Sequence, residues 1–263
     1  IRDRFGAVEL GCVVNYLGVR NKDILNYIRG KAEPWWWTKP TLQQMSNNAG
    51  FFSISDKNLR RFSELMIQDM SSVDILASWL QDESRFEKEL SNVYKIWLEY
   101  LNPYWSENPW SRALEGKKVL VVHPFVDSIQ KQYKKRAFLH KHPQTLPDFD
   151  LKTIKAVQGI GGVCNEGFKD WFDAFEYMKA EINKSNYDIC ILGCGAYGFP
   201  LAAHVKRMGK KAIHMGGATQ MLFGIKGKRW EDEYGEFMNE HWIRPSKEET
   251  PINAMKIENG CYW

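Results

Sequence analysis

The sequence predicts an α/β fold: a Rossmann-like, mostly parallel open sheet with helices on both faces, preceded by a largely helical amino-terminal region. Three observations carry this. Short apolar, β-branched runs recur after Gly116 and alternate with stretches of helical spacing, the order of a parallel sheet wound with helices. Each run stops at glycine or at His-Pro, where a strand must turn away. The segment Gly193-Cys194-Gly195-Ala196-Tyr197-Gly198 satisfies G-x-G-x-x-G and lies between a strand candidate and a helix candidate.

Residues 1–112 are expected to form the mainly helical part, and residues 113–263 the nucleotide-binding part, of one catalytic unit. Val8 to Leu17 is apolar with helical spacing. Leu59, Phe62, Leu65 and Met66 recur at i, i+3 and i+4, and Asp56 suits the N-cap. Residues 73–80 and 86–100 extend the helical pattern, with breakers at 31–40, 47–50 and 102–109. In the second half, Val119-Leu120-Val121-Val122 reads as a buried parallel strand bounded by Gly116 and Pro124. Asp127 or Ser128 is expected to cap a helix over 129–139. A second strand spans 151–157 and ends before Gly159, Gly161 and Gly162. Residues 167–183 read as an amphipathic helix and 187–192 as the third strand. A helix over 200–208 then meets Gly209, and a fourth strand over 211–215 precedes Gly216-Gly217. Residues 230–263 are aromatic and polar, with no clear period.

The net charge of +4 suits an anionic ligand but lacks the dense basic patch of a nucleic-acid binder, so no nucleic-acid partner is expected. No run of 18 apolar residues is present, and Ile1 to Gly6 lacks the apolar core of a secretion signal. Five cysteines (12, 164, 190, 194 and 261) form no CxxC pair. Neither a disulfide framework nor a zinc site is indicated, and a cytoplasmic location is expected. The chain begins without Met, as either a fragment or a trimmed form of a protein would. Eleven tryptophans are available for cores or for stacking on sugar rings, with Trp35-Trp36-Trp37 and Trp110 as candidate platforms.

The glycine loop is expected at the carboxyl ends of the strands, where ligands of open α/β sheets bind. Gly193, Gly195, Ala196, Tyr197 and Gly198 are then candidate contacts for a phosphate held against a helix N-terminus. A nicotinamide dinucleotide also needs an acid about 20 residues on to hold its ribose. His214, followed by Met215-Gly216-Gly217, stands at that strand end, so no NAD is expected. On the same rim, His123 is a candidate acid or base and His214 a candidate diphosphate donor. Gly216, Gly217 and Gln220 follow as binding candidates, and Lys226 and Arg229 as a phosphate clamp. Asp74, an acid within an apolar stretch, is a candidate catalytic carboxylate. Glu9 opens an apolar helix, where it either complements the helix dipole or faces a cleft as a base or metal ligand.

Arg4-Phe5-Gly6-x-x-Glu9 resembles the amino-terminal motif of the GT-D glycosyltransferases, the former domain of unknown function 1792, which reads Arg-Phe-Gly-Asp-Gly-Glu. Residues 188–198 and 209–217 also resemble that group or a close relative. Residues 116–125 are similar to proteins of bacterial surface-polysaccharide synthesis. The resemblance implies a glycosyltransferase that moves a sugar from a nucleotide diphosphate, such as a UDP-hexose, to a glycan or lipid-linked acceptor. It implies Arg4 in nucleotide-sugar binding, Glu9 in catalysis, and Mn2+ or Mg2+ as cofactor with Glu9 as a ligand. It further implies a protein peripheral to the inner face of the membrane or fused to another transferase domain. Ala7 stands where the family has Asp, so the Asp-x-Glu metal element is incomplete. Three alternatives are a nucleotide-dependent oxidoreductase, a pyruvyl-type transferase, and a non-catalytic nucleotide-sugar-binding domain.

Overall fold

The computed structural model describes residues 39–159 and 167–263; elements are numbered within these. The amino-terminal motif with Arg4, Ala7 and Glu9, the helix expected over 8–17, and Trp35-Trp36-Trp37 lie outside the described residues.

The sheet has four parallel strands: β3 (Lys118–His123), β4 (Asp150–Lys155), β5 (Ile189–Leu192) and β6 (Lys211–His214). Their spatial order is β4-β3-β5-β6, so the chain reverses its direction of winding between β3 and β5. Every pair is parallel, with Val119 beside both Leu151 and Ile189, and Leu192 beside His214. Val119 to Val122 are wholly buried. Leu120 and Val122 face one core cluster, and Val119 and Val121 the other. This is the two-residue alternation of a central strand covered on both faces.

Helix α3 (Val126–Tyr133), α4 (Trp171–Lys184) and α5 (Gly198–Arg207) connect the strands. The first core cluster is built by α2 (Asp56–Met70), α4 and α5, with Phe51, Phe62, Phe172 and Tyr197 gathered around Trp171. The second is built by α3, α6 (Thr219–Leu222), α7 (Lys228–Tyr234) and the carboxyl-terminal segment. α1 (Lys39–Asn47) precedes α2.

The helix expected near 58–70 is α2, and it buries Leu59, Phe62 and Met66 as the spacing requires. Its cap is Ser55 rather than Asp56: the Ser55 side chain accepts from the Asn58 N–H at 3.2 Å. The helical pattern over 73–80 and 86–100 gives way to a second, two-stranded parallel sheet, β1 (Ile75–Ser78) and β2 (Tyr94–Trp97). Each apolar run there is only four residues long. Pairing Leu76 and Ala77 with Lys95 and Ile96 outweighs a weak helical period. The buried Glu83 holds their crossover, accepting the Trp79 and Leu80 N–H groups at 3.0 and 3.1 Å.

Leu120→Ala would open a cavity at the centre of the sheet. It is expected to cost about 2–5 kcal/mol, read from chemical denaturation.

Candidate functional site

Where winding reverses, the two connections leaving β3 and β5 diverge to opposite faces and leave a crevice at the carboxyl edge. A cleft of about 680 Å³, counted out to its mouth, occupies that position. His123, Pro124 and Phe125 follow β3 into it, Val157 to Gly159 follow β4, and Gly193, Cys194 and Gly195 follow β5. Gly217 and Gln220 line it from beyond β6, and Asn48, Ala49 and Gly50 from the turn after α1. Ile257, Tyr262 and Trp263 complete the wall. The described lining contains no Lys, Arg, Asp or Glu.

Each glycine of the loop serves close packing. A Cβ on Gly193 would lie 2.5 Å from Thr219 Oγ1 and 2.6 Å from His123 Cδ2. Gly195 has φ +56°, a conformation that favours glycine. A Cβ on Gly198 would lie 2.3 Å from the His214 ring, so α5 approaches β6 at glycine distance. Ala196 donates its N–H to the Ala49 carbonyl at 3.2 Å. The amide expected to meet a phosphate is therefore answered by the protein's own backbone. The turn bearing Ala49 is itself pressed onto the strand-end loop: a Cβ on Gly159 would lie 2.3 Å from the Gly50 carbonyl.

The N-terminus of α3 is also filled from within. The buried Glu249 accepts N–H bonds from Asp127 at 2.9 Å and Ser128 at 3.2 Å, and a further bond from the Ser128 hydroxyl. A carboxylate there complements the helix dipole. The cap expected from Asp127 or Ser128 thus comes from 121 residues away, because a buried amide pair takes the strongest acceptor that tertiary packing delivers. Trp263 Nε1 donates to the Glu249 carbonyl at 3.0 Å, which ties the same segment to the cleft wall.

His123 is buried against Phe125, ring centroids 4.9 Å apart, and burial pushes its pKa down to about 3. Its Nδ1 accepts the Phe125 N–H at 3.0 Å, so in the neutral ring Nε2 carries the proton. Gln220 has no exposed surface. Its Nε2 donates to the carbonyls of Lys226 and Tyr262 at 3.1 Å and of Ile225 at 3.4 Å, while its Oε1 is buried with no partner. A buried acceptor left so costs about 1–3 kcal/mol.

Of the candidates read from the sequence, the cleft gathers His123, Gly193, Gly195, Tyr197, Gly217 and Gln220. Among the described residues it does not gather His214, Ala196, Gly198, Gly216, Asp74, Lys226, Arg229 or Trp110. His214 turns beneath α5, with Nδ1 3.3 Å from the Leu192 carbonyl. Ala196 and Gly198 pack behind the loop, and Gly216 takes the turn after β6 at φ +57°. Asp74 is exposed and pairs with Lys206 at 2.7 Å, just before the two-stranded sheet begins at Ile75. Arg229 pairs with Glu258, donates to the Tyr262 hydroxyl at 3.2 Å and packs over that ring, so it pins the carboxyl-terminal segment and is not part of the cleft lining. Lys226 ties the same region through its backbone, donating to the Ile243 carbonyl at 2.7 Å. Trp110 donates Nε1 to the Leu101 carbonyl at 3.0 Å and packs in the second core cluster.

Sequence reasoning missed Asn48, Tyr262, Trp263 and the role of Glu249. Residues 230–263 show no period because they form short turns and helices. Their signals were Asn259-Gly260, a turn dipeptide, just before the aromatic pair, and Ser246-x-x-Glu249, a capping-box pattern. No protein-family model matches the chain, and no curated protein or solved structure matches it.

Two outcomes follow. The unfolded chain binds a proton at His123 near pH 6.5 and the folded chain only near pH 3, so stability is expected to fall as pH drops from about 6.5 toward 5. Melting temperature against pH checks this, and the slope in that range should shrink in His123→Asn. Arg229→Ala is expected to speed hydrogen exchange at residues 257–263, read by mass spectrometry.

Proposed function

We propose that the chain is a glycosyltransferase that moves a sugar from a nucleotide diphosphate to a glycan or lipid-linked acceptor. The observation that carries this reading is the cleft at the point where the sheet reverses its winding. It is aromatic, uncharged among its described residues, and equipped with an unpaired acceptor and a neutral imidazole donor. Sugar rings need such walls: an apolar face to stack on, and hydrogen-bond groups that are not already in use. The sequence motifs at 4–9, 188–198 and 209–217 support the same class by resemblance.

In this reading the aromatic wall orients the donor, and the neutral His123 donates a hydrogen bond without competing for a proton. Glu9 accepts the proton of the acceptor hydroxyl, and Arg4 contributes to nucleotide-sugar binding, as the resemblance assigns them. With Ala7 in the Asp position, Glu9 alone does not make the paired-carboxylate donor set of a divalent cation, so no step is assigned to a metal.

A second reading, a nucleotide-sugar-binding domain without turnover, is favoured by one observation: the described lining holds no carboxylate base. The two separate in a donor screen with mass-spectrometric detection of transferred sugar. Transfer by the wild type, lost at least a hundredfold in Glu9→Gln with donor affinity retained, is the expected result. Donor binding with no transfer by the wild type would leave only the second reading. Activity unchanged in excess chelator is expected, and its abolition would restore the metal.

A further inference from the structure

We propose that the cleft wall around Gln220 is the subsite for an uncharged, hydroxyl-bearing ring of the ligand, its glycosyl or its ribosyl part, and that Gln220 and His123 read that ring together. This rests on the reading of the cleft as a nucleotide-sugar site and says which part of the ligand sits where.

The amide of Gln220 cannot be turned over. Its Nε2 faces three backbone carbonyls, those of Ile225, Lys226 and Tyr262, and reversing the amide would set an oxygen against all three. Oε1 is therefore fixed as an acceptor, and it has no partner. His123 is fixed in the opposite sense: Nδ1 is taken by the Phe125 N–H, so Nε2–H is the donor. Both side chains line the same cleft, and a Cβ on Gly193 between them would touch the His123 ring and Thr219, the residue before Gln220. Buried polar groups without partners are rare and call for an explanation.

The diphosphate of a sugar nucleotide, esterified at both ends, is fully ionised at neutral pH and its oxygens only accept, so it satisfies His123 but is repelled by Gln220 Oε1. A hydroxyl does both: it donates to Oε1 and accepts from Nε2–H. Trp263, held against the buried Phe125 at a ring-centroid distance of 5.8 Å, and Tyr262 are only half-buried and offer apolar faces to the C–H side of the same ring. Donor, acceptor and stacking face together select a neutral sugar ring and place the charged diphosphate elsewhere.

The test is side-chain NMR on the whole wild-type chain, which depends on no variant folding. Uridine and methyl glucoside, added separately, supply the ribosyl and glycosyl rings; inorganic pyrophosphate supplies the charge alone. At least one ring is expected to shift the Gln220 Nε2 and His123 Nε2 signals, and which one names the source. Pyrophosphate is expected to leave both unmoved. Shifts from pyrophosphate, or silence to both rings, would overturn the subsite. As a second measurement, Gln220→Met, folded by thermal unfolding, is expected to weaken UDP-glucose binding at least tenfold with pyrophosphate affinity unchanged. UDP-glucose turned over without moving either signal sinks the subsite and leaves the transferase reading. A ring that moves both signals while UDP-glucose is not bound does the reverse.

Discussion

The pairing of β3 with β5 is the constraint on which the rest of the molecule depends. Val119 to Val122 are buried on both faces, and each of the two core clusters rests on alternate residues of that one strand. Because the chain winds to opposite sides after β3 and after β5, the two connections part above this pair and leave the cleft. The site is thus a by-product of strand order. Its floor rests on strand residues that are wholly buried, which holds His123 and Gly193 in place.

That edge would ordinarily offer helix N-termini to an anion. Here the protein supplies its own partners. Ala49 answers the Ala196 amide, and Glu249 answers the amides of Asp127 and Ser128. What remains along the cleft is neutral: an imidazole donor, a buried amide acceptor without a partner, and aromatic faces. The carboxyl-terminal segment is central to this, since it brings Glu249 to α3, Tyr262 to Gln220 and Trp263 to Phe125. Among the described residues no helix is long and apolar enough to cross a membrane.

The glycine pattern illustrates how a motif can be read correctly for geometry and remain open for chemistry. Gly193, Gly195 and Gly198 are each required by close approach or by backbone conformation. Those requirements are met by His123, Ala49 and His214, all within the chain, so the pattern by itself names no ligand. The two-stranded sheet is the complementary case. A short apolar run fits a helix or a strand equally well, and its pairing partner decides.

What the sequence determined by itself was the sheet and its strand ends. The apolar runs at 119–122 and 189–192 are too short and too β-branched for helices, and the glycines and His-Pro that follow them set the cleft's inner rim, His123 and the glycine loop included. Only the tertiary structure decided which polar groups stay free. That Arg229 meets Glu258, that His214 faces α5, and that the Gln220 amide is turned to the Tyr262 carbonyl depend on contacts between residues tens of positions apart. Local spacing specifies which face of an element is apolar. It carries no record of which distant donor or acceptor reaches that face first.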